Sequence, residues 1–340
     1  MAHQNPLDPS SGRPGARTGT LPQDLKGDAM RRFIFPMAVL LVVAAVPAAG
    51  ALAPVLFCNG IAATISGDDA DNTLNGTAGD DVIHGAAGDD TIDGKGGNDT
   101  ICGGSGADRI QGGDGVDRIL GEGGPDRIGG GLGADTIHGG AGNDRIDECL
   151  VFGGDGGDYM YGDAGNDQIC GGAGYDMLYG GPGFDRLEGN DGSDTLRGGS
   201  EPDWLDGGSG SDYLYGGPGN DLLRGDDGND RLYGDEGNDN LRGGLDNDIM
   251  RGGLGDDTLD TGAPAYPDYD DEIAYGEDGN DYLFGNQLGF DGTTRLYGGD
   301  GDDYLFGATL YVGGPGLDAC DASPIIPAER HGCEVIWAYD

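Results

Sequence analysis

Residues 85–111 read GAAGDDTID GKGGNDTIC GGSGADRIQ, three consecutive units of nine. Each opens with glycine (Gly85, Gly94, Gly103) and repeats glycine at place four. Each carries aspartate at place six (Asp90, Asp99, Asp108) and isoleucine at place eight (Ile92, Ile101, Ile110). Such self-similarity marks a repeat architecture, in which a small unit buries its apolar side against the next copy. The half-unit x-Ile-x suits a short strand, with one side chain inward and its neighbours outward. The glycine-rich half must turn sharply, and glycine reaches the positive φ values that such turns need.

The same unit extends back to Gly67 and forward to Asp147 without a gap, nine units in all. Glu148 to Phe152 break the phase. Twelve more units run from Gly153 to Asp260, and isolated units begin at Gly276, Gly298 and Gly313. Glycine opens all 24 units, and aspartate fills place six in 23 of them, Asn72 being the exception. Place eight is Leu or Ile in 21, the others being Met160, Met250 and Cys320.

This period changes the meaning of the composition. The chain has 340 residues, 75 of them glycine and 16 proline, and a net charge of −44 from 62 acidic and 18 basic side chains. So acidic a chain lacks the basic surface that phosphate recognition needs, which excludes nucleic-acid binding. Glycine does not recur every third residue, so collagen is excluded. Without a period this much glycine and proline would indicate disorder. The acids, however, stand in fixed phase with glycine and Leu/Ile.

The units follow G-G-x-G-x-D-x-U-x, and over about residues 67–321 the chain resembles the calcium-binding nonapeptide repeats of RTX (repeats-in-toxin, hemolysin-type) proteins. The resemblance implies an all-β fold, a right-handed parallel β-roll. Each coil holds two short strands and two turns, two units or eighteen residues, with calcium in the turns between coils.

Elementary physics leads to the same cation. A carboxylate every nine residues stacks against its equivalent one coil away, and parallel strands lie only about 4.8 Å apart. A hard divalent cation with oxygen ligands removes the repulsion in such a column. The expected ligands are the place-six aspartates. In the first array these are Asp81, Asp90, Asp99, Asp108, Asp117, Asp126, Asp135 and Asp144. In the second they are Asp158, Asp167, Asp176, Asp185, Asp194, Asp203, Asp212, Asp221, Asp230, Asp239, Asp248 and Asp257, followed by the isolated Asp281 and Asp303. Carbonyls of the glycine-rich turns supply further oxygen. Cysteine and histidine are absent from these places, which argues against zinc or copper. One Ca²⁺ for each pair of units one coil apart gives about 17 ions. One aliphatic residue per nine is too thin a core to offset the entropy of ordering a glycine-rich backbone, so calcium binding is expected to be the folding reaction.

The N-terminus speaks of export. Met30-Arg31-Arg32 precedes an apolar run, Phe33 to Val46, and then Pro47-Ala48-Ala49-Gly50-Ala51, the layout of a signal peptide cut after Ala51. The run is too short to span a membrane, so no transmembrane anchor is expected. The expected organisation is an extension or misassigned start (1–29), a signal peptide (30–51), an N-terminal cap (52–66), a first array (67–147), an insertion (148–152), a second array (153–260), irregular repeats (261–321) and a C-terminal cap (322–340). Six cysteines agree with an oxidising destination. Fifteen pairings are possible. Cys149 lies 21 residues before Cys170, close to one coil of eighteen plus the insertion, and Cys320 and Cys333 bracket the C-terminal cap. Cys58 and Cys102 remain, to tie the N-terminal cap to an early coil, so sequential pairing is expected.

No catalytic signature accompanies the repeats: neither H-E-x-x-H nor G-x-S-x-G occurs. The histidines are His3, His84, His138 and His331, with His84 and His138 at outward-facing strand places. Residues 261–275 and 285–297 read as loops in the repeat. On one sheet, Tyr159, Tyr161, Tyr179, Tyr213, Tyr215 and Tyr233 form a tyrosine-rich face with arginines. Such a face suits strand stacking, and it also suits a platform for an extracellular polysaccharide or surface protein. The expectation is therefore a secreted, extracellular, non-enzymatic protein that calcium folds, with a structural or adhesive role. The alternatives are a secretion or stability module for a catalytic partner on another chain, and a polysaccharide-binding or polysaccharide-modifying protein.

Overall fold

Alternating strands and glycine turns have one way to bury a single apolar column per unit, which is to coil. The computed structural model describes residues 55–149, 154, 156–262, 271–285, 293–321 and 329–336. The expected extension and signal peptide lie outside the described residues, as do most of the 148–152 insertion and parts of 261–275, 285–297 and 322–340. Among the described residues all regular structure is β, and no helix is long and apolar enough to cross a membrane.

Successive units contribute alternately to two fifteen-stranded sheets, and within each sheet every strand pairs with the next but one along the chain. All these pairings are parallel and in register with the repeat: Ile83 faces Ile101, Ile101 faces Ile119, and on the other sheet Ile92 faces Ile110. The coil is therefore eighteen residues, a parallel β-solenoid. The strands are longer than the x-U-x half suggests. Val82–Ala87 and Thr100–Ser105 each run from place seven through place three, leaving the turn only places four to six. Their pairing skips place one, passing from His84↔Cys102 to Ala86↔Gly104. Place two kinks the strand: Gly104 has φ +116°, and a Cβ there would sit 2.1 Å from the carbonyl oxygen of Ala86.

The core is the place-eight column. From Ile83 to Cys320 these side chains are buried, isoleucine through the first array and mostly leucine through the second. Breaks in phase leave the column intact. Ile137 faces Met160 and Ile146 faces Ile169, so a coil of 23 residues replaces one of 18 while the column keeps its register. Further on, Met250 faces Ala274, Ala274 faces Leu296, and Leu296 faces Tyr311. Half-coils absent from the nine-residue pattern thus fill the irregular region, with buried Ala274, Leu296 and Tyr311 standing at place eight.

At the start of the coil, Phe57–Cys58 and Ile61–Ala62 form a small antiparallel hairpin. Its turn residues, Asn59 and Gly60, both have positive φ, as a two-residue hairpin turn requires. Cys58 is joined to Cys102, Cys149 to Cys170 and Cys320 to Cys333, with Cα separations of 5.5, 5.8 and 5.8 Å. The pairing is sequential, as the sequence reading expects.

Candidate metal centre

The turn at places four to six aims each place-six side chain along the coil axis. The main-chain N–H of Asp90 donates to Oδ1 of Asp108 at 2.8 Å, that of Asp108 to Oδ1 of Asp126 at 2.8 Å, and that of Asp126 to Oδ1 of Asp144 at 2.8 Å. Asp81, Asp99, Asp117 and Asp135 form the corresponding ladder in the other row of turns. Both ladders cross the phase break, Asp135 N–H reaching Asp158 and Asp144 N–H reaching Asp167. One of them continues through the second array to Asp303, whose N–H reaches Asp318. The other runs to Asp248, and in the next half-coil Glu272 takes the place-six position.

The second carboxylate oxygen has a different fate. In every expected ligand except Asp81, Oδ2 is buried with no hydrogen-bond partner, and the same holds for Asp318. Buried acceptors left unmade are costly, and a single structure normally holds few of them. The place-one glycines show where these oxygens point. A Cβ built on Gly85 would lie 2.3 Å from Asp90 Oδ2 and 2.2 Å from the carbonyl oxygen of Gly103, one coil on. On Gly94 it would lie 2.4 Å from both Asp99 Oδ2 and the Gly112 carbonyl oxygen. The pattern recurs down both arrays. Place one is glycine because a carboxylate oxygen and a carbonyl oxygen converge on its bare side.

Burial makes these carboxylates hard to ionise without a cation. It pushes Asp117, Asp126, Asp194 and Asp230 up to about 7 and Asp203 to about 8, and neighbouring aspartates in the ladder add to the rise. A column of buried carboxylates therefore holds protons or holds cations. An all-oxygen donor set, part carboxylate and part main-chain carbonyl, with a cradle that one Cβ would fill, fits Ca²⁺.

Not all residues join the pattern equally. Asp81 is half-buried, and its Oδ2 accepts from the N–H and Oγ1 of Thr77 at 2.6 and 2.9 Å. Asn72 accepts from the Asp68 N–H, so the first coil has an amide where later coils have a carboxylate. The cradle of Gly285 is filled by a methyl of Thr294. Besides Asp318, two further acids outside the expected set, Glu148 and Glu272, are also buried. A further ladder lies at place five. Asn98 N–H donates to Asp80 Oδ1 at 2.8 Å and Val116 N–H to Asn98 Oδ1 at 3.0 Å, in the opposite sense to the place-six ladder. Its signal is the run of Asp and Asn at place five, for example Asp80, Asp89, Asn98 and Asn143.

The outer face is also ordered by the repeat. At place nine of one sheet, His138 stacks on Tyr161 and Tyr161 on Tyr179, with ring centroids 4.5 and 4.8 Å apart. Arg197 lies over Tyr215, which stacks on Tyr233. Arg251 lies over Tyr275, which stacks on Tyr297. These ring faces are thus covered by neighbouring rings or guanidinium groups.

Comparison with known families bears on all of this. Residues 66–101, 94–128, 120–147, 150–178, 176–205, 188–223, 197–232, 224–259, 266–287 and 288–309 match the family model of the RTX calcium-binding nonapeptide repeat. No curated protein matches the chain.

Proposed function

From the premise that the chain belongs to the RTX calcium-binding nonapeptide-repeat family, we propose that it is a secreted, non-enzymatic β-roll whose folding is driven by Ca²⁺ and whose role outside the cell is structural or adhesive. The observation that carries the reading is the pair of buried carboxylate ladders with one oxygen of each aspartate unpartnered. The ligands are the place-six aspartates from Asp90 to Asp303, with Asp81 at the margin, together with place-one glycine carbonyls. Calcium supplies the charge that lets these carboxylates be buried ionised. The protein's own residues do the rest: Oδ1 joins coil to coil, and the bare face of glycine leaves room for the cation.

In calcium-poor cytosol such a chain stays loose enough to export, and in calcium-rich surroundings it sets. Residues 30–51 and the three disulfides support that route. Calcium content measured on the gel-filtered protein tests the binding claim. About 17 ions per chain are expected, and two or three would contradict the ladder reading. N-terminal sequencing of protein recovered from culture medium tests export, with Leu52 expected as the first residue.

One surface feature favours an adhesive role toward acidic glycans. Arg109, Arg127 and Arg145 stand side by side in register on three neighbouring strands, all exposed, in a chain of −44 net charge. They line a shallow depression of about 570 Å³ together with Gln111, Gly129 and the acids Asp93 and Asp147; Arg145 is paired with Asp147 at 2.6 Å, so the reading rests on Arg109 and Arg127. Like charges set at strand spacing suit a polymer with a regular row of carboxylates or sulfates. Binding to acidic but not neutral glycans on an array, lost in Arg109→Ala plus Arg127→Ala, is the expected result; binding unaffected by the double substitution would count against it.

A further inference from the structure

The repeat fails in one place where the structure supplies a replacement. At Gly130 the coil-on residue is number 148, where the next place-one glycine would stand, and the sequence has Glu148 instead. In the regular cradles a carboxylate oxygen from place six of the same unit meets the carbonyl oxygen of a glycine one coil on. At Gly121 these are Asp126 Oδ2 and the Gly139 carbonyl oxygen. At Gly130 a Cβ would lie 2.3 Å from Asp135 Oδ2 and 2.8 Å from Glu148 Oε1. The side chain of Glu148 thus stands where the missing main-chain carbonyl would be.

From this geometry we infer that Glu148 is a calcium ligand, completing with Asp135 a site at the phase break that the nonapeptide pattern does not encode. The family match itself stops at residue 147 and resumes at 150, so Glu148 falls between the recognised repeats.

Three observations support the assignment. Glu148 is 2% exposed and Asp135 1% exposed, so two carboxylates share a buried space. Asp135 Oδ2 has no hydrogen-bond partner and points into that space. Glu148 is held in place from three sides: Oε1 accepts from Gly130 N–H, and Oε2 accepts from Gly131 N–H at 3.2 Å and Gly154 N–H at 3.1 Å. A carboxylate oxygen has lone pairs for both an N–H and a cation. The bond from Cys149 to Cys170 then ties the adjacent residue to the next coil. Two buried carboxylates facing one cradle without a cation would be strongly unfavourable. The alternative, a glutamate that only caps the loose N–H groups of the broken turn, explains its three hydrogen bonds but not why Oε1 lies beside Asp135 Oδ2 at the spot where the regular cradles have a carbonyl oxygen.

The inference rests on the calcium reading, and the test keeps the two apart. Full-length protein crystallised in calcium is examined by anomalous diffraction for the wild type and for Glu148→Gln, which keeps the shape and one acceptor oxygen. The expected result is a calcium peak between Asp135 and Glu148 that vanishes in Glu148→Gln, while the peaks beside Asp126 and Asp144 remain. Peaks at those neighbours with none at Asp135 in the wild type would overturn the inference, as would a peak at Asp135 that survives the substitution. No calcium at any cradle would overturn the calcium reading as a whole. In solution, hydrogen exchange of peptides covering 127–136 reads the same site. Glu148→Gln should raise the calcium needed for their protection at least tenfold and leave 186–194 unchanged; an unshifted 127–136 would contradict a ligand role.

Discussion

The main-chain N–H of Asp194 donates to Oδ1 of Asp212 at 2.7 Å, while Oδ2 of Asp212 receives no hydrogen bond. One oxygen fastens a coil to the one before it, and the other faces the bare side of Gly207, 2.6 Å from where a Cβ would stand. Each place-six aspartate therefore has a mechanical task and an electrostatic one, and substitutions can separate them.

Asp212→Asn keeps an acceptor for the Asp194 N–H but removes the charge. Asp212→Ala removes both and leaves a buried N–H unmade. In saturating calcium the alanine variant should lose about 2 kcal/mol or more, and the asparagine variant less. Denaturant midpoints in calcium check this. Equal losses would mean that the hydrogen bond between coils contributes nothing.

Place-one and place-three glycines should respond differently to a methyl group. In Gly85→Ala the new Cβ meets Asp90 Oδ2 and the Gly103 carbonyl oxygen, whereas at Gly96 the nearest atom is 3.5 Å away. Neither backbone is in the left-handed region, so strain in φ is not the difference. Gly85→Ala should raise the calcium concentration at half-folding severalfold, and Gly96→Ala should leave it near wild type. A calcium titration followed by circular dichroism decides the point.

The pH dependence should reverse with calcium. Burial raises Asp126, Asp194 and Asp230 from 3.8 to about 7 and Asp203 to about 8. Without calcium the coil then binds more protons than the unfolded chain. Its stability is fully present below pH 3.8 and is lost as pH rises toward about 7 to 8. With calcium the carboxylates are held ionised, protons compete with the cation, and stability falls as pH falls. Circular dichroism at pH 4.5 and pH 8, in calcium-free and calcium-containing buffer, should show opposite slopes. Slopes of one sign in both buffers would contradict the metal-ladder account.

Tyr215 tests the outer face. It sits between Arg197 and Tyr233, with Arg197 4.4 Å from its ring centroid. Tyr215→Ala should cost about 1 kcal/mol in calcium without changing the number of ions bound. A lowered calcium content in this variant would show that the stack and the metal row are coupled.

The coil and its eighteen-residue register were legible because each follows from a period in the sequence, and the cysteine pairs because one spans about a coil and the others lie at the two caps. Asp90 recurs as Asp108 and Asp126, and Ile83 as Ile101 and Ile119. What escaped lay where the period is broken or where chemistry is unchanged by a small shift. Ala274, Leu296 and Tyr311 continue the core column without the glycine-aspartate signature, because a strand pairs through its main chain whatever turn precedes it. Asp318 stands in a 24th unit and carries the same orphaned oxygen as its predecessors, although it was not among the expected ligands. Glu148 looked like a plain interruption. Only counting eighteen from Gly130 places an acid where a glycine carbonyl belongs. The strand stacking read from the tyrosine-rich face is there, in the Tyr161–Tyr179 and Tyr215–Tyr233 pairs, since strand spacing is also a comfortable ring spacing.

The central claim is that calcium binding to the carboxylate ladders is the folding reaction, and far-UV circular dichroism of the purified chain at neutral pH tests it most directly. The account predicts a largely disordered spectrum after calcium is removed and a β spectrum that returns cooperatively when calcium is added. A β spectrum unchanged by calcium removal would contradict it.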